Sequence, residues 1–263
     1  MFNMLKQCSL HKMEEIMGYE ENKIEGRNAV LEAFRSGKTI DKLFVLDGCQ
    51  DGPIKSITRE ARKGDTIINY VNKERLDQIS ETGKHQGVIA ISAAYDYAEV
   101  EDILANAESK GETPFIIILD GIEDPHNLGA IIRTANQAGA HGIIIPKRRA
   151  VGLTPTVART SAGAINYTPV AKVTNITQTI KDLKEKGMWF VCADMDGTPM
   201  YDLNLTGSIG LVIGNEGDGV SKLVKENCDM IATIPMKGDI DSLNASVATG
   251  VLAYEIVRQR LKK

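Results

Sequence analysis

"PFIIILDGIEDPHNLGAIIRTANQAGAHGIIIP" (residues 114–146) carries a strand, a helix and a second strand in one short span. "FIIIL" is an unbroken apolar run, the pattern of a strand buried on both faces of a sheet. In "HNLGAIIRTANQAG" (126–139), Leu128, Ile131, Ile132, Ala135 and Ala138 recur at helical spacing and gather on one face. "GIIIP" then repeats the strand signal. Downstream, the strand-like runs "MWFVCADM", "IGLVIGN" and "MIATIPM" alternate with helix-like runs near 176–186 and 218–226 and a last one beginning at Ser242. Apolar strands separated by helices predict an α/β fold with a mostly parallel sheet covered by helices on both faces.

Towards the N-terminus lies a smaller block. Helix-like "NAVLEAF" leads to strand-like "KLFVLDG", a helix around 53–63 precedes "TIINYV", and a helix around 73–80 precedes "GVIAISA". This alternation predicts a small α/β sandwich at 23–95, followed by an acidic, partly helical linker at 96–112 and the larger block at 113–263. Residues 1–22 read as a mobile tail: charges interrupt every short apolar stretch, so no secretory signal is expected, and Met17 is an alternative start.

At 263 residues, 43% hydrophobic and 25% charged, the chain has the composition of a globular protein. No apolar run reaches the roughly 20 residues of a membrane span. Cys8, Cys49, Cys192 and Cys228 are scattered, without a CxxC pair, and are expected to be reduced thiols of a cytoplasmic protein. The histidines do not cluster with them, so no metal site is expected. Net charge is −4, but the acidity sits mostly in the tail and the linker. The two folded blocks are near neutral, so charge alone neither suggests nor excludes a nucleic-acid partner.

In a doubly wound sheet, ligands bind at the carboxyl ends of the strands. Three loops of the larger block lie there. The first, "IEDPHN", leads into the helix of 127–138, with Asn127 suited to cap it. Gly129 poses a question, because glycine costs a helix interior about 1 kcal/mol against alanine. Either it is incidental, or it removes a side chain so that Arg133 can present its planar fork to a phosphate. The second loop, "IGNEGDG" (213–219), has neither the order of a dinucleotide fingerprint nor the lysine of a P-loop. It is a tight turn or a backbone brought close to a ligand, and a turn alone does not explain Glu216. In the third, "IPMKGDIDSLNASVATGVLAYEIVRQR" (234–260), Ser242 can cap the final helix, and Leu243, Val247, Val251 and Tyr254 form an apolar stripe. Ala245, Ser246, Ala248, Thr249, Gly250 and Ala253 allow close packing on the domain or on a second subunit. Asn244, beside the helix start, is left over from both readings.

"NLGAIIRTANQAG", "LVIGNEGDGVS" and "IPMKGDIDSLNASVATGVLAYE" together resemble, in order, the three motifs of the SpoU branch of the SPOUT RNA 2′-O-ribose methyltransferases. With "EGRNAVLEAF" and "KHQGVIAI", the first block is similar to the ribosomal-protein-like RNA-binding domain of the RlmB-type members. Those methylate a guanosine ribose of 23S rRNA. The resemblance implies a C-terminal trefoil knot, S-adenosyl-L-methionine bound within it, and a homodimer that completes each site. It implies cofactor contacts at Ile213, Gly214, Ile234, Met236 and Leu243. It implies an active site of Asn127, Arg133, Glu216, Ser242 and Asn244. Arg133 is expected to clamp the target phosphate, since a guanidinium stays protonated in proteins. RNA is expected at Lys147, Arg148, Arg149 and Arg159, and in the first block at Arg27, Asn28, Lys84, His85 and Gln86. Methylation of a tRNA guanosine, and a non-catalytic RNA-binding or ribosome-assembly protein, are the competing expectations. The missing G-x-G-x-x-G disfavours a nucleotide-dependent dehydrogenase.

Overall fold

The computed structural model describes residues 22–239 and 242–261; the expected tail with Met17 and Cys8 lies outside them. The chain divides into two compact units, one formed by residues up to Asp96 with Gly152–Thr156, the other by Tyr97–Val151 with Val157 onwards.

In the first unit, β1 (Asn22–Glu25), β2 (Ile40–Leu46), β3 (Ile67–Val71) and β4 (Val88–Ser92) form a sheet in the order β1-β4-β2-β3. β2 runs parallel to β3 and antiparallel to β4. Alternation along β2 sends Leu43 and Val45 into one core with Val30, Ile54, Ile57 and Ala61 of α1 (Arg27–Arg35) and α2 (Gly52–Lys63). Phe44 and Leu46 turn the other way, onto Leu76 and Ile79 of α3 (Lys73–Ile79). β1, from the polar "NKIE", gave no periodic signal in the sequence. It is held by its pairing with β4 and by Glu25. The Glu25 carboxylate accepts from Ser80 Oγ at 2.6 Å and Thr82 Oγ1 at 2.5 Å, and from the Glu81 N–H at 2.6 Å. Burial raises its pKa, but these bonds outweigh burial and hold it at about 2.

In the second unit all strand pairs are parallel, in the order β10-β8-β9-β5-β6-β7. The strands are β5 (Phe115–Asp120), β6 (Gly142–Pro146), β7 (Val170–Val173), β8 (Trp189–Pro199), β9 (Ile209–Gly214) and β10 (Met230–Thr233). Ile116 and Ile118 of β5 join a core under α4 (Val100–Ser109), α7 (Ile176–Glu185) and α8 (Lys222–Glu226), through Ile103, Ile180, Leu183 and Val224. Ile117 and Leu119, also fully buried, point to the other face. Against that side pack α5 (Pro125–Gln137) and α9 (Ala245–Leu261), with residues 157–160 of the short α6 (Pro155–Thr160) beside α5. The acidic stretch expected to be a linker thus contributes α4, whose Ile103 and Ala107 are fully buried. α4 carries a reciprocal cap between Glu99 and Asp102.

The central register positions the functional end of this sheet. β5 and β9 pair from Phe115↔Ile209 to Asp120↔Gly214, so both strands end flush. β6 lies on one side of β5 and β9 on the other, so this is the switch point where an α/β sheet opens a crevice.

Candidate active site

The two loops leaving β5 and β9 are tied together by side chains. Asn215 Nδ2 donates to the Gly121 carbonyl at 2.8 Å, and its Oδ1 accepts the Gly217 N–H at 2.7 Å. Asp120 accepts the Ser221 N–H at 2.8 Å. Asn215 and Gly219 exchange backbone bonds of 3.1 and 2.9 Å, closing the 215–219 loop on itself. A Cβ on Gly214 would lie 2.1 Å from the Gly219 carbonyl carbon, so no other residue fits where this loop folds back over the strand end.

From this base Glu216 meets Asn127, whose Nδ2 donates to its Oε1. Asn127 Oδ1 accepts from Asn244 Nδ2 at 3.0 Å. Asn244 Oδ1 accepts from the Ser246 N–H at 2.9 Å and from Ser246 Oγ at 2.6 Å. Three loops distant in sequence therefore converge on one hydrogen-bonded cluster. Asn127 is buried at its centre, with Glu216 and Asn244 on the solvent side.

Two capping expectations are corrected. The N-cap of α5 is Asp124, not Asn127: its side chain accepts the His126 N–H at 2.8 Å, with Pro125 at the first helical position. Asn127 sits inside the first turn, which frees its amide for Glu216 and Asn244. Likewise α9 begins at Ala245, and Asn244 rather than Ser242 caps it through the Ser246 N–H. Ser242 is exposed just before the cap.

Gly129 does not act by clearing space for Arg133. A Cβ there would stand 2.6 Å from Thr160 Cβ and 2.9 Å from the Val157 carbonyl oxygen, so the glycine lets α6 press against α5. Arg133 itself is exposed on α5 and forms no hydrogen bond or ion pair with another described residue. Its neighbour Thr134 lies under α9, with Cγ2 3.8 Å from where a Cβ on Gly250 would stand.

The stripe Leu243, Val247, Val251 and Tyr254 is corrected as well. The buried face of α9 is Ala245, Thr249, Leu252, Ala253 and Ile256. Val247 and Tyr254 are each 50% exposed and Leu243 is 38% exposed. The helix has apolar residues on two sides, and the small residues among them select the side that packs closely on the domain.

Among the expected cofactor contacts, Ile213 is buried and Gly214 and Ile234 half-buried, while Met236 and Leu243 leave apolar surface on the loops. Arg148, Arg149 and Arg159 are exposed. The Arg148–Arg149 turn reaches the β5 loop, since the Val151 N–H donates to the Ile122 carbonyl at 2.9 Å. Arg149 takes a left-handed backbone, φ 55°.

In the first unit, Arg27 and Gln86 meet. Arg27 Nε donates to the Gln86 carbonyl at 3.0 Å, and its guanidinium pairs with Asp51 at 2.7 Å. With Leu46 and Gly87 they line an open cavity of about 310 Å³. Asn28 and Lys84 are exposed. His85 is not available to RNA as expected: it is buried, accepts the Gly87 N–H on Nδ1 at 3.0 Å, and its Nε2 donates to Asp77 at 2.9 Å. Its ring holds the 77–87 segment together.

The residues missed by sequence reasoning are Asp120, Asp124, Asn215 and Ser246. "DP" ahead of an apolar-periodic run signals a helix start, and could have identified Asp124. Asn215 acts through the Gly121 carbonyl, remote in sequence, which no local pattern reveals; Ser246 acts on Asn244 two residues before it, within the cap of the last helix. Among the described residues, no group of three or more His, Cys, Asp or Glu side chains could hold a metal ion, and no helix is long and apolar enough to cross a membrane.

A parallel α/β sheet with polar side chains converging on a glycine-built loop at its switch point defines an enzyme-like site. Comparison with known proteins supplies the class. The profile of the SpoU rRNA Methylase family matches residues 114–254, and that of the RNA 2′-O ribose methyltransferase substrate-binding domain matches 23–98. The chain belongs to the SpoU family of RNA methyltransferases. It is 48% identical to YacO of Bacillus subtilis (strain 168), named for the TrmH family of tRNA/rRNA methyltransferases, over 93% of this chain and 98% of that protein. Its fold is similar to the SpoU methyltransferase AviRb from Streptomyces viridochromogenes, crystallised with AdoMet, at a TM-score of 0.59 and 24% identity over 92% of each chain. An A. aeolicus TrmH/SpoU tRNA-modifying enzyme matches at a TM-score of 0.53 and 29% identity, over 57% of this chain and 77% of that one.

Proposed function

We propose that the protein transfers a methyl group from S-adenosyl-L-methionine to a ribose 2′-hydroxyl of RNA, a guanosine of 23S rRNA. The observation that carries this reading is the Asn127–Glu216–Asn244 cluster at the β5/β9 switch point. It presents hydrogen-bonding groups, none of them a metal ligand set or a nucleophile, as suits a reaction in which the protein only aligns and deprotonates. The RNA substrate-binding domain matched at 23–98 supports a large RNA substrate. RNA-specific chemistry at a 2′-hydroxyl calls for a flexible or splayed nucleotide.

The residues fit the cofactor. Ile213 and Ile234 offer apolar walls, Met236 and Leu243 leave apolar surface for adenine, and the Gly214 loop brings main-chain groups close. When bound, S-adenosylmethionine supplies both the methyl group and its thioether leaving group. Arg133 clamps the target's phosphate through its bidentate fork. Asn127 and Asn244 hold the site's geometry, Glu216 accepts N–H or O–H donors facing it, and Ser242 lines the approach. Arg148, Arg149 and Arg159 contact the RNA backbone, joined by Arg27, Asn28, Lys84 and Gln86 in the first unit. The exposed side of α9, with Val247 and Tyr254, supports a homodimer in a knotted fold of the SPOUT type. The setting is the cytoplasm.

Calorimetry with S-adenosylmethionine and label transfer to 23S rRNA or tRNA, each from a strain lacking the enzyme, test the reading. Binding and transfer to 23S rRNA are expected. No cofactor binding would mark an RNA-binding protein without catalysis, and label in tRNA alone would assign the substrate to tRNA.

A further inference from the structure

The hydrogen bonds of the active-site cluster have a direction, and a backbone group sets it. The Ser246 N–H can only donate, so the Asn244 atom 2.9 Å away is its oxygen. The Ser246 hydroxyl adds a second donor to that oxygen at 2.6 Å. With Oδ1 committed to the first turn of α9, Asn244 offers Nδ2 to Asn127, 3.0 Å away, which takes it on Oδ1. Asn127 then has only Nδ2 to offer Glu216, and Glu216 must accept. Reversal of either amide would set oxygen against oxygen, each misplaced pair losing a bond worth about 1 kcal/mol and leaving a polar group without a partner.

We infer that Ser246 is a positioning residue that sets the polarity of the active site. Through Asn244 and Asn127 it fixes Glu216 as an acceptor. Glu216 Oε1 is occupied by Asn127, and Oε2 is left for a donor carried by the RNA. The ribose hydroxyl is the group that the proposed chemistry brings there. The helix start is thereby coupled to the catalytic carboxylate: the residue that caps α9 also orients the amide beneath it. This inference rests on the functional reading above, so its test includes a measurement independent of activity.

Asn244→Asp separates the two tasks of Asn244. Aspartate caps a helix as well as asparagine does, but it has no donor for Asn127. The expected result is a melting temperature a few degrees below the parent's, from the lost Asn127 bond alone, and retained S-adenosylmethionine binding. kcat is expected to fall about 10- to 100-fold, as for the loss of a hydrogen bond to a charged network, with little change in KM for RNA. Ser246→Ala is expected to lower kcat by a smaller factor and Ser246→Thr to restore it. A kcat for Asn244→Asp within about threefold of the parent would overturn the inference. Side-chain amide signals in ¹⁵N NMR test the relay without any turnover. Glu216→Gln should shift both the Asn127 and the Asn244 signals, and an Asn244 signal left in place would overturn it. If the parent transfers no methyl group, the functional reading fails, and the NMR result still decides the relay.

Discussion

Asn244 Nδ2 lies 3.0 Å from Asn127 Oδ1, joining the cap of the last helix to the first turn of α5 across 117 positions of sequence. Neither residue is close to the other until β5 and β9 pair flush and α9 packs on α5. The site is therefore a product of the sheet register. Asn127→Ala should abolish methyl transfer more completely than it destabilises the fold: it leaves Glu216 and Asn244 without their shared partner, while α5 keeps its Asp124 cap. Thermal melting beside a transfer assay separates the two effects.

Arg133 stands exposed, with no hydrogen bond or ion pair to another described residue. Arg133→Ala and Arg133→Lys should accordingly melt within about 0.5 kcal/mol of the parent, the ordinary range for a surface substitution. Both should lose turnover, because lysine keeps the charge but not the fork. Near-normal turnover in Arg133→Lys would contradict the bidentate clamp.

Gly129→Ala sets helix propensity against packing. Propensity alone would stabilise α5 by about 1 kcal/mol. The added Cβ would meet Thr160 Cβ at 2.6 Å and the Val157 oxygen at 2.9 Å, and backbone cannot yield as a flexible side chain can. Overpacking of this kind costs about 1–3 kcal/mol, so a net loss is expected in chemical denaturation. A gain in stability would show that α6 moves aside freely.

Glu25 links pH to the stability of the first unit. Its carboxyl sits at about 2 against an ordinary 4.5, because hydrogen bonds from Ser80, Thr82 and the Glu81 and Thr82 amides outweigh the effect of burial. A depressed carboxylate stabilises the fold above its unfolded pKa, and that contribution is lost as pH falls through the folded value. Glu25→Gln should therefore melt below the parent at pH 7, with the gap narrowing from 4.5 downward and closing near about 2. Melting curves across this range check it.

Val247 and Tyr254 leave half their surface on the outer side of α9. The parent is expected to sediment as a dimer, and a Val247→Glu, Tyr254→Glu double variant as a monomer. Its far-ultraviolet circular dichroism should be unchanged, since neither side chain belongs to the buried face of the helix. A parent that sediments as a monomer would contradict the pairing.

The strands of the parallel sheet were legible because a strand buried on both faces must be apolar throughout, as "FIIIL" and "GLVI" are. β1 and β7 were not: "NKIE" and "VAKV" are short pieces fixed by their neighbours. The site was legible as residue types at strand ends, but not as geometry. Asn127 looked like a cap because it precedes the apolar run, whereas Asp124–Pro125 starts the helix three residues earlier. Gly129 looked functional because a helix tolerates glycine poorly, but its cause is the neighbouring segment 157–161, the end of α6 and the residue after it, whose closeness no periodicity records. Leu243, Val247 and Tyr254 looked like core because they share a face, while the small residues opposite are the ones that pack.

The most direct test of the proposed reaction is nucleoside mass spectrometry of 23S rRNA from a strain lacking the enzyme, after incubation with the purified protein and labelled S-adenosylmethionine. The expected product is one labelled 2′-O-methylguanosine, absent with the Arg133→Ala and Asn127→Ala variants. A label on a base, or 2′-O-methylation confined to tRNA, would contradict the assignment to a 23S rRNA ribose.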